Sequence, residues 1–265
     1  DNGQEMIIWD WEAGTKLSSA KTVSLPKKAF QVVWNSDEEI VVVGMKTVLS
    51  FSFNGDKLKS KAIKLKKDFK SQSVYSVLSL NNRALLANAD GTLYEIKDNK
   101  ATKVIKCSDK ACFATATTSN GGYVIGSKDG TLYEYDSDDN IINKYEFDAA
   151  VRSVAFSNDS FIVGTKDGSI SIVNSSNDRV SIVKGHFDGE LWAMCPHPVE
   201  NNIFITAGED NQIMKWDSLT HKFVDSTIIS NKKGRRSRNP KASTTSTQPA
   251  WKCARACAFS PDSKH

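Results

Sequence analysis

One short turn recurs along this chain and limits what it can fold into. It reads Ala87-Asn88-Ala89-Asp90-Gly91, then Gly126-Ser127-Lys128-Asp129-Gly130, then Gly164-Thr165-Lys166-Asp167-Gly168, then Gly208-Glu209-Asp210-Asn211. Asp-Gly between two alternating apolar runs is the strongest short-range hairpin signal, because glycine accepts the left-handed backbone that a tight turn demands. The flanking runs fit: Tyr123-Val124-Ile125 leads into one copy and Thr131-Leu132-Tyr133-Glu134-Tyr135 follows it. The copies lie roughly 40 residues apart, the period of a four-stranded propeller blade. Almost no segment has a helical period over a useful length. The pattern predicts an all-β repeat fold.

A strand count follows. Met6 to Trp11 reads as a third strand, so the sequence opens in mid-blade. A blade with strands at Gln31–Asn35, Ile40–Gly44 and Val48–Phe53 comes next, and others are expected to start at Val74, Ala111, Val151 and Leu191. Cys253–Pro261 reads as the first strand and turn of one more. The expectation is a β-propeller domain over residues 1–265, with about five full blades and two partial ones, cut from a longer chain.

The most informative blade runs from Gly185-His186 through Leu191-Trp192-Ala193-Met194 to Asp210 and Trp216-Asp217. A Gly-His pair, an aromatic-rich strand and an Asp six residues before Trp-Asp form the signature of a WD-repeat blade. His186, Thr206, Asp210 and Trp216 are expected to form a buried hydrogen-bonded relay, since a buried polar group needs partners. This structural role for His186 is favoured over a catalytic or metal-binding one.

Three motifs narrow the resemblance. Ile8-Trp9-Asp10-Trp11-Glu12 with Lys16-Leu17, Ala150-Val151-Arg152-Ser153-Val154-Ala155 with Ile162-Val163-Gly164-Thr165, and Gly185-His186 with Gly189-Glu190-Leu191-Trp192-Ala193-Met194-Cys195-Pro196-His197-Pro198 resemble, in order and spacing, blades of the echinoderm microtubule-associated protein-like family. The resemblance implies the later part of the first propeller of a tandem pair. It also implies a cytoplasmic, cytoskeletal scaffold whose partners are tubulin, microtubules or microtubule-associated proteins. A general WD-repeat interaction adaptor is the alternative from another class, and a propeller enzyme a third.

Charge supplies the remaining candidates. The net charge is +4. Lys57, Lys59 and Lys61 alternate on a strand expected at a sheet edge, where lysines block unwanted pairing. The second basic segment holds Lys232, Lys233, Arg235, Arg236, Arg238 and Lys241 within an expected flexible insertion at 231–250 that is rich in Ser, Thr and Pro. Either it is a solvated loop, or it contacts an acidic surface such as the tails of tubulin. It has no interleaved aromatics for base stacking, so nucleic acid is not an expected partner. No apolar run approaches the ~20 residues of a membrane span. Five cysteines at uneven spacing make a poor disulfide framework, and no pair of histidines completes a zinc site around Cys253 and Cys257. No phosphate-binding loop or nucleophile elbow occurs, so neither a cofactor nor catalytic residues are expected.

Overall fold

The computed structural model describes residues 5–21, 28–63, 72–97, 100–229 and 256–260. Every regular element among them is a β-strand. The chain divides into two compact units, Asp1–Lys166 with Ile170–Val180 and Asp167–Ser169 with Ser181–His265.

The first unit opens on a hairpin, β1 (Glu5–Asp10) and β2 (Thr15–Lys21). Three four-stranded antiparallel sheets follow, each hydrogen-bonded in chain order. These are β3 (Ala29–Ser36), β4 (Glu39–Gly44), β5 (Thr47–Phe53) and β6 (Leu58–Ala62); β7 (Val74–Leu80), β8 (Arg83–Asn88), β9 (Thr92–Lys97) and β10 (Lys100–Lys106); and β11 (Cys112–Thr117), β12 (Tyr123–Ser127), β13 (Thr131–Tyr135) and β14 (Ile141–Glu146). A fourth sheet holds β15 (Val151–Ser157), β16 (Ser160–Thr165), β17 (Ile170–Asn174) and β18 (Arg179–Val183), the last straddling the division between units. The second unit carries β19 (Leu191–Pro196), β20 (Ile203–Gly208), β21 (Gln212–Asp217) and β22 (Lys222–Ile228).

The strands begin close to where the sequence places them; Ala111 lies one residue outside β11, and Trp11 falls in the turn after β1. Of the segment expected to start a further blade, residues 256–260 are described and form no strand.

The recurring turn has a common construction. The residue after aspartate takes a left-handed backbone in each copy: φ is +78° at Gly91, +94° at Gly130, +77° at Gly168 and +59° at Asn211. The aspartate closes the turn on its own chain. Asp90, Asp129, Asp167 and Asp210 each accept the backbone N–H two residues on, at 2.9, 2.9, 3.3 and 3.1 Å. The residue before aspartate is tied to the start of its blade, as in Ala89 N to Ser73 O (2.9 Å), Lys128 N to Ala111 O (2.8 Å) and Lys166 N to Ala150 O (2.8 Å). The blade of β3–β6 has a shorter, two-residue turn without Asp-Gly: Gly44 pairs with Thr47, Lys46 has φ +56°, and Met45 N bonds Lys28 O at 3.0 Å.

Apolar residues fill the space between neighbouring sheets of the first unit. Val41, Val43 and Val48 pack against Val74, Val77 and Leu86. Leu85 and Leu93 meet Tyr123, Ile125 and Tyr135, and Val124, Leu132 and Tyr145 meet Val151, Phe161 and Val163. Each such fully buried large side chain contributes about 1.5–3 kcal/mol relative to exposure. A polar clamp joins the second and third of these sheets: Arg83 reaches Glu95 (3.3 Å) and Asp139 (3.0 Å), and Asp139 also accepts the Tyr123 hydroxyl at 2.8 Å.

Candidate functional site

The WD-like signature residues meet in the second unit. Trp216 Nε1–H donates to Thr206 Oγ1 at 2.7 Å, and Thr206 Oγ1 lies 2.9 Å from His186 Nε2. His186 Nδ1 lies 2.9 and 3.0 Å from the two oxygens of Asp210. Indole nitrogen only donates and an ionised carboxylate only accepts, so tryptophan donates to threonine and Nδ1–H to aspartate; in the neutral ring the threonine hydroxyl then donates to Nε2. The side chain of His186 is 12% exposed and that of Asp210 is 0% exposed. Four elements are tied in this way: the loop before β19, the inner strand β20, its turn, and the end of β21. Gly208 leaves room for the ring, since a Cβ there would sit 3.1 Å from His186 Nδ1.

A reduced relay occupies the equivalent place in the β11–β14 blade. Ser108 Oγ–H donates to Asp129 Oδ2 at 2.7 Å, Ser127 Oγ–H donates to Ser108 at 3.0 Å, and the Tyr133 hydroxyl reaches Asp129 at 3.3 Å. Sequence reasoning missed Ser108, because it stands where the signature has histidine but is 21 residues before its aspartate instead of 24. Burial alone would push the Asp129 carboxyl up, but the hydrogen bonds from Ser108 and Thr131 outweigh it and hold the carboxyl below its ordinary value. A carboxyl held low in the folded state stabilises above its unfolded pKa, and that contribution is lost as pH falls through the folded pKa. Ser108→Ala should therefore flatten the loss of stability below about pH 4. Asp136 and Asp217, held low by the amides of Asn140 and Leu219, act alike in both proteins and cancel in the comparison. Urea midpoints at a series of acid pH values check this; parallel curves would mean that Ser108 does not tune Asp129.

Comparison with known proteins gives three findings. Residues 177–217 match the family model described as WD domain, G-beta repeat, which spans the relay. The chain is 24% identical over 264 residues to the ciliary WD repeat-containing protein ctxp80 of Euplotoides octocarinatus, covering 97% of this chain and 36% of that protein. It is 27% identical over 244 residues to echinoderm microtubule-associated protein-like 4 of Xenopus laevis (83% and 26%), and 24% identical over 230 residues to the 77 kDa echinoderm microtubule-associated protein of Strongylocentrotus purpuratus (83% and 33%). The chain is similar to a WD repeat over residues 177–217 and, over most of its length, to the echinoderm microtubule-associated protein-like family. Among solved structures, the Dos1 propeller aligns with a TM-score of 0.55 at 14% identity, covering 84% of this chain and 64% of that one, which shows the propeller fold alone.

The chain spans about a third or less of the length of these curated relatives. The other candidates fall as follows. β6 is the outer strand of its sheet, and Lys59 and Lys61 lie on it, exposed, with Lys57 in the preceding turn. Lys232, Lys233, Arg235, Arg236, Arg238 and Lys241, with the whole insertion at 231–250, lie outside the described residues, as does Cys253. Among the described residues, Cys107, Cys112, Cys195 and Cys257 are free thiols, and no cluster of metal-binding side chains occurs.

Proposed function

We propose that this chain is a non-enzymatic WD-repeat scaffold that contributes to tubulin or microtubule binding in the cytoplasmic cytoskeleton. The reading is carried by similarity to two proteins named as microtubule-associated, over 83% of the chain in each case. Two features support a scaffold. The His186 ring, which in another setting would be a candidate general base, is engaged at both nitrogens inside a blade. The basic residues at 232–241 carry charge without an apolar anchor, which suits attraction to an acidic filament surface.

Co-sedimentation with microtubules tests the proposal. The chain should pellet with microtubules at low salt and less so as salt rises past the ~10 Å screening length near 0.1 M. Replacing Lys232, Lys233, Arg235, Arg236 and Arg238 by Ser should weaken pelleting and flatten its salt dependence while leaving the unfolding midpoint in place. An unchanged pellet after that replacement removes these residues from the contact. No pelleting by the unaltered chain, together with capture of other proteins from a lysate, would favour the general adaptor instead.

A further inference from the structure

Two cysteines stand at the ends of the connection between β10 and β11. Cys107 follows Lys106, the last residue of β10, and Cys112 is the first residue of β11. The connection folds tightly around the turn of the preceding sheet. Gly91 O accepts Cys107 N–H at 2.9 Å and Ser108 N–H at 3.2 Å. The carbonyls of Ser108 and Lys110 both close on the same glycine, where a Cβ would meet them. Lys110 N–H bonds back to Ser108 Oγ at 3.0 Å. Both side chains reach one apolar cluster: Cys112 lies inside it with Leu93, Tyr123 and Tyr135, and Cys107 packs against it from the edge. Cys112 is buried and Cys107 half-buried.

The two thiols are hydrogen-bonded to each other, and their surroundings divide their roles. The Cys107 sulfur receives the Cys112 S–H, the Tyr135 hydroxyl and the backbone N–H of Leu93, with the Lys106 ammonium nearby. Donors aimed at a sulfur favour its thiolate, and here that of Cys112 leads the others in holding the Cys107 thiol below its ordinary value despite burial. Cys112 is pushed the other way, by its bond to Cys107, by burial and by the charges of Asp129 and Asp90. Cys107 is therefore the nucleophile, and Cys112 keeps its proton until Cys107 has reacted. Cys195 and Cys257 are set differently. The Cys195 S–H donates to Pro196 O at 3.5 Å, and burial, together with Cys195, pushes the Cys257 thiol up.

We propose that Cys107 is a site of oxidation by hydrogen peroxide and that Cys112 resolves it, joining the ends of the β10–β11 connection by a disulfide. The Cys107 thiolate attacks one peroxide oxygen; an S–O bond forms, the O–O bond breaks, and hydroxide leaves. The product is a sulfenic acid. The Cys112 sulfur then attacks the sulfenic sulfur and gives up its proton. An S–S bond forms, the S–O bond breaks, and the departing hydroxide takes that proton as water. In sum, two thiols lose two electrons and two protons, and the peroxide is reduced to two waters. One low, accessible thiol beside a resolving cysteine is the arrangement of a redox-sensing pair. The ring so closed contains Ser108, whose hydroxyl bonds Asp129 at 2.7 Å, so oxidation acts on the serine-based relay of the β11–β14 blade. The site is independent of the microtubule reading.

Peroxide treatment of the 265-residue chain, then alkylation and tryptic mapping without reductant, tests this. Trypsin cuts after Lys106 and Lys110, so the two cysteines fall in separate peptides, 107–110 and 111–128. They should be recovered as one linked species, lighter by two hydrogens than their sum, which a reductant separates. With dimedone present to trap sulfenic acid, Cys112→Ser should accumulate label at Cys107, while Cys107→Ser should leave Cys112 unlabelled. Tyr135→Phe keeps the ring and removes one donor; it should slow alkylation of Cys107 by iodoacetamide at neutral pH about 3-fold. Cys257 should alkylate more slowly than Cys107. If circular dichroism shows that a variant is unfolded, the map of the unaltered chain still decides. Unlinked peptides, a link from Cys107 to Cys195, Cys253 or Cys257, or dimedone label on Cys112 in folded Cys107→Ser would each overturn the proposal.

Discussion

Gly91→Ala is expected to destabilise the chain by about 2–4 kcal/mol, combining backbone strain with a clash. Gly91 has φ +78°, and a Cβ on it would lie 2.1 Å from the carbonyl oxygen of Ser108 and 2.4 Å from that of Lys110. Both neighbours are backbone, so neither can swing aside. Shifting the turn is no remedy, because Gly91 N–H bonds Asn88 O at 3.1 Å and its carbonyl accepts Cys107 N–H at 2.9 Å and Ser108 N–H at 3.2 Å. Gly121→Ala is the internal control. It has nearly the same φ, +80°, but a Cβ there meets nothing within 4 Å. It should cost only the conformational part, about 1 kcal/mol. Urea denaturation of the two variants separates the effects; equal midpoints would show that the close approach at Gly91 is relieved at little cost.

The same turn explains which parts of the fold were legible in sequence. An Asp that caps its own turn, followed by a residue with positive φ, is a local device, and local devices leave local signatures. Four of the turns could be read this way. The fifth, at Met45-Lys46, is shorter; it keeps the bond back to the start of its blade and has a lysine at φ +56°, but it has no aspartate and carries no such mark. The blade there was visible through its strands instead, because Ile40 to Val43 is an apolar run and Val48, Leu49 and Phe51 add to it, and all end up buried. The relay of His186, Thr206, Asp210 and Trp216 was legible because its residue types and spacings recur in WD repeats. Its reduced form around Ser108 and Asp129 was not, since a serine in a loop has many uses. The row of Phe30, Tyr75, Phe113 and Arg152, in which neighbouring rings touch and the Arg152 guanidinium lies 4.1 Å over the Phe113 ring, was hidden for another reason. Its members differ in type, stand about 40 residues apart, and come together only because each is the extra residue of a bulge. Periodicity assigns faces to regular strands, and a bulge breaks the period at the very residue that matters.

Asp210→Ala is expected to cost about 2–4 kcal/mol, more than His186→Ala at about 1–3 kcal/mol. The aspartate serves two donors, the Nδ1–H of His186 and the backbone N–H of Gln212. Its side chain is 0% exposed, so water cannot readily replace it. Removing it strands an imidazole N–H beside a nearly buried ring. Removing His186 leaves the carboxylate with the Gln212 amide alone and the Thr206 hydroxyl without its acceptor, but it also opens a space through which water can reach both. Thr206 keeps its bond from Trp216 in either variant. The double variant should then cost less than the sum of the two singles, because the second change removes a group already left without a partner. Trp216 lies within the relay, so with the other five tryptophans replaced by phenylalanine its fluorescence should report the unfolding of this blade directly. Strict additivity across the cycle would mean that His186 and Asp210 stabilise the blade independently, each through its own packing, and that the geometry linking them carries no coupling energy.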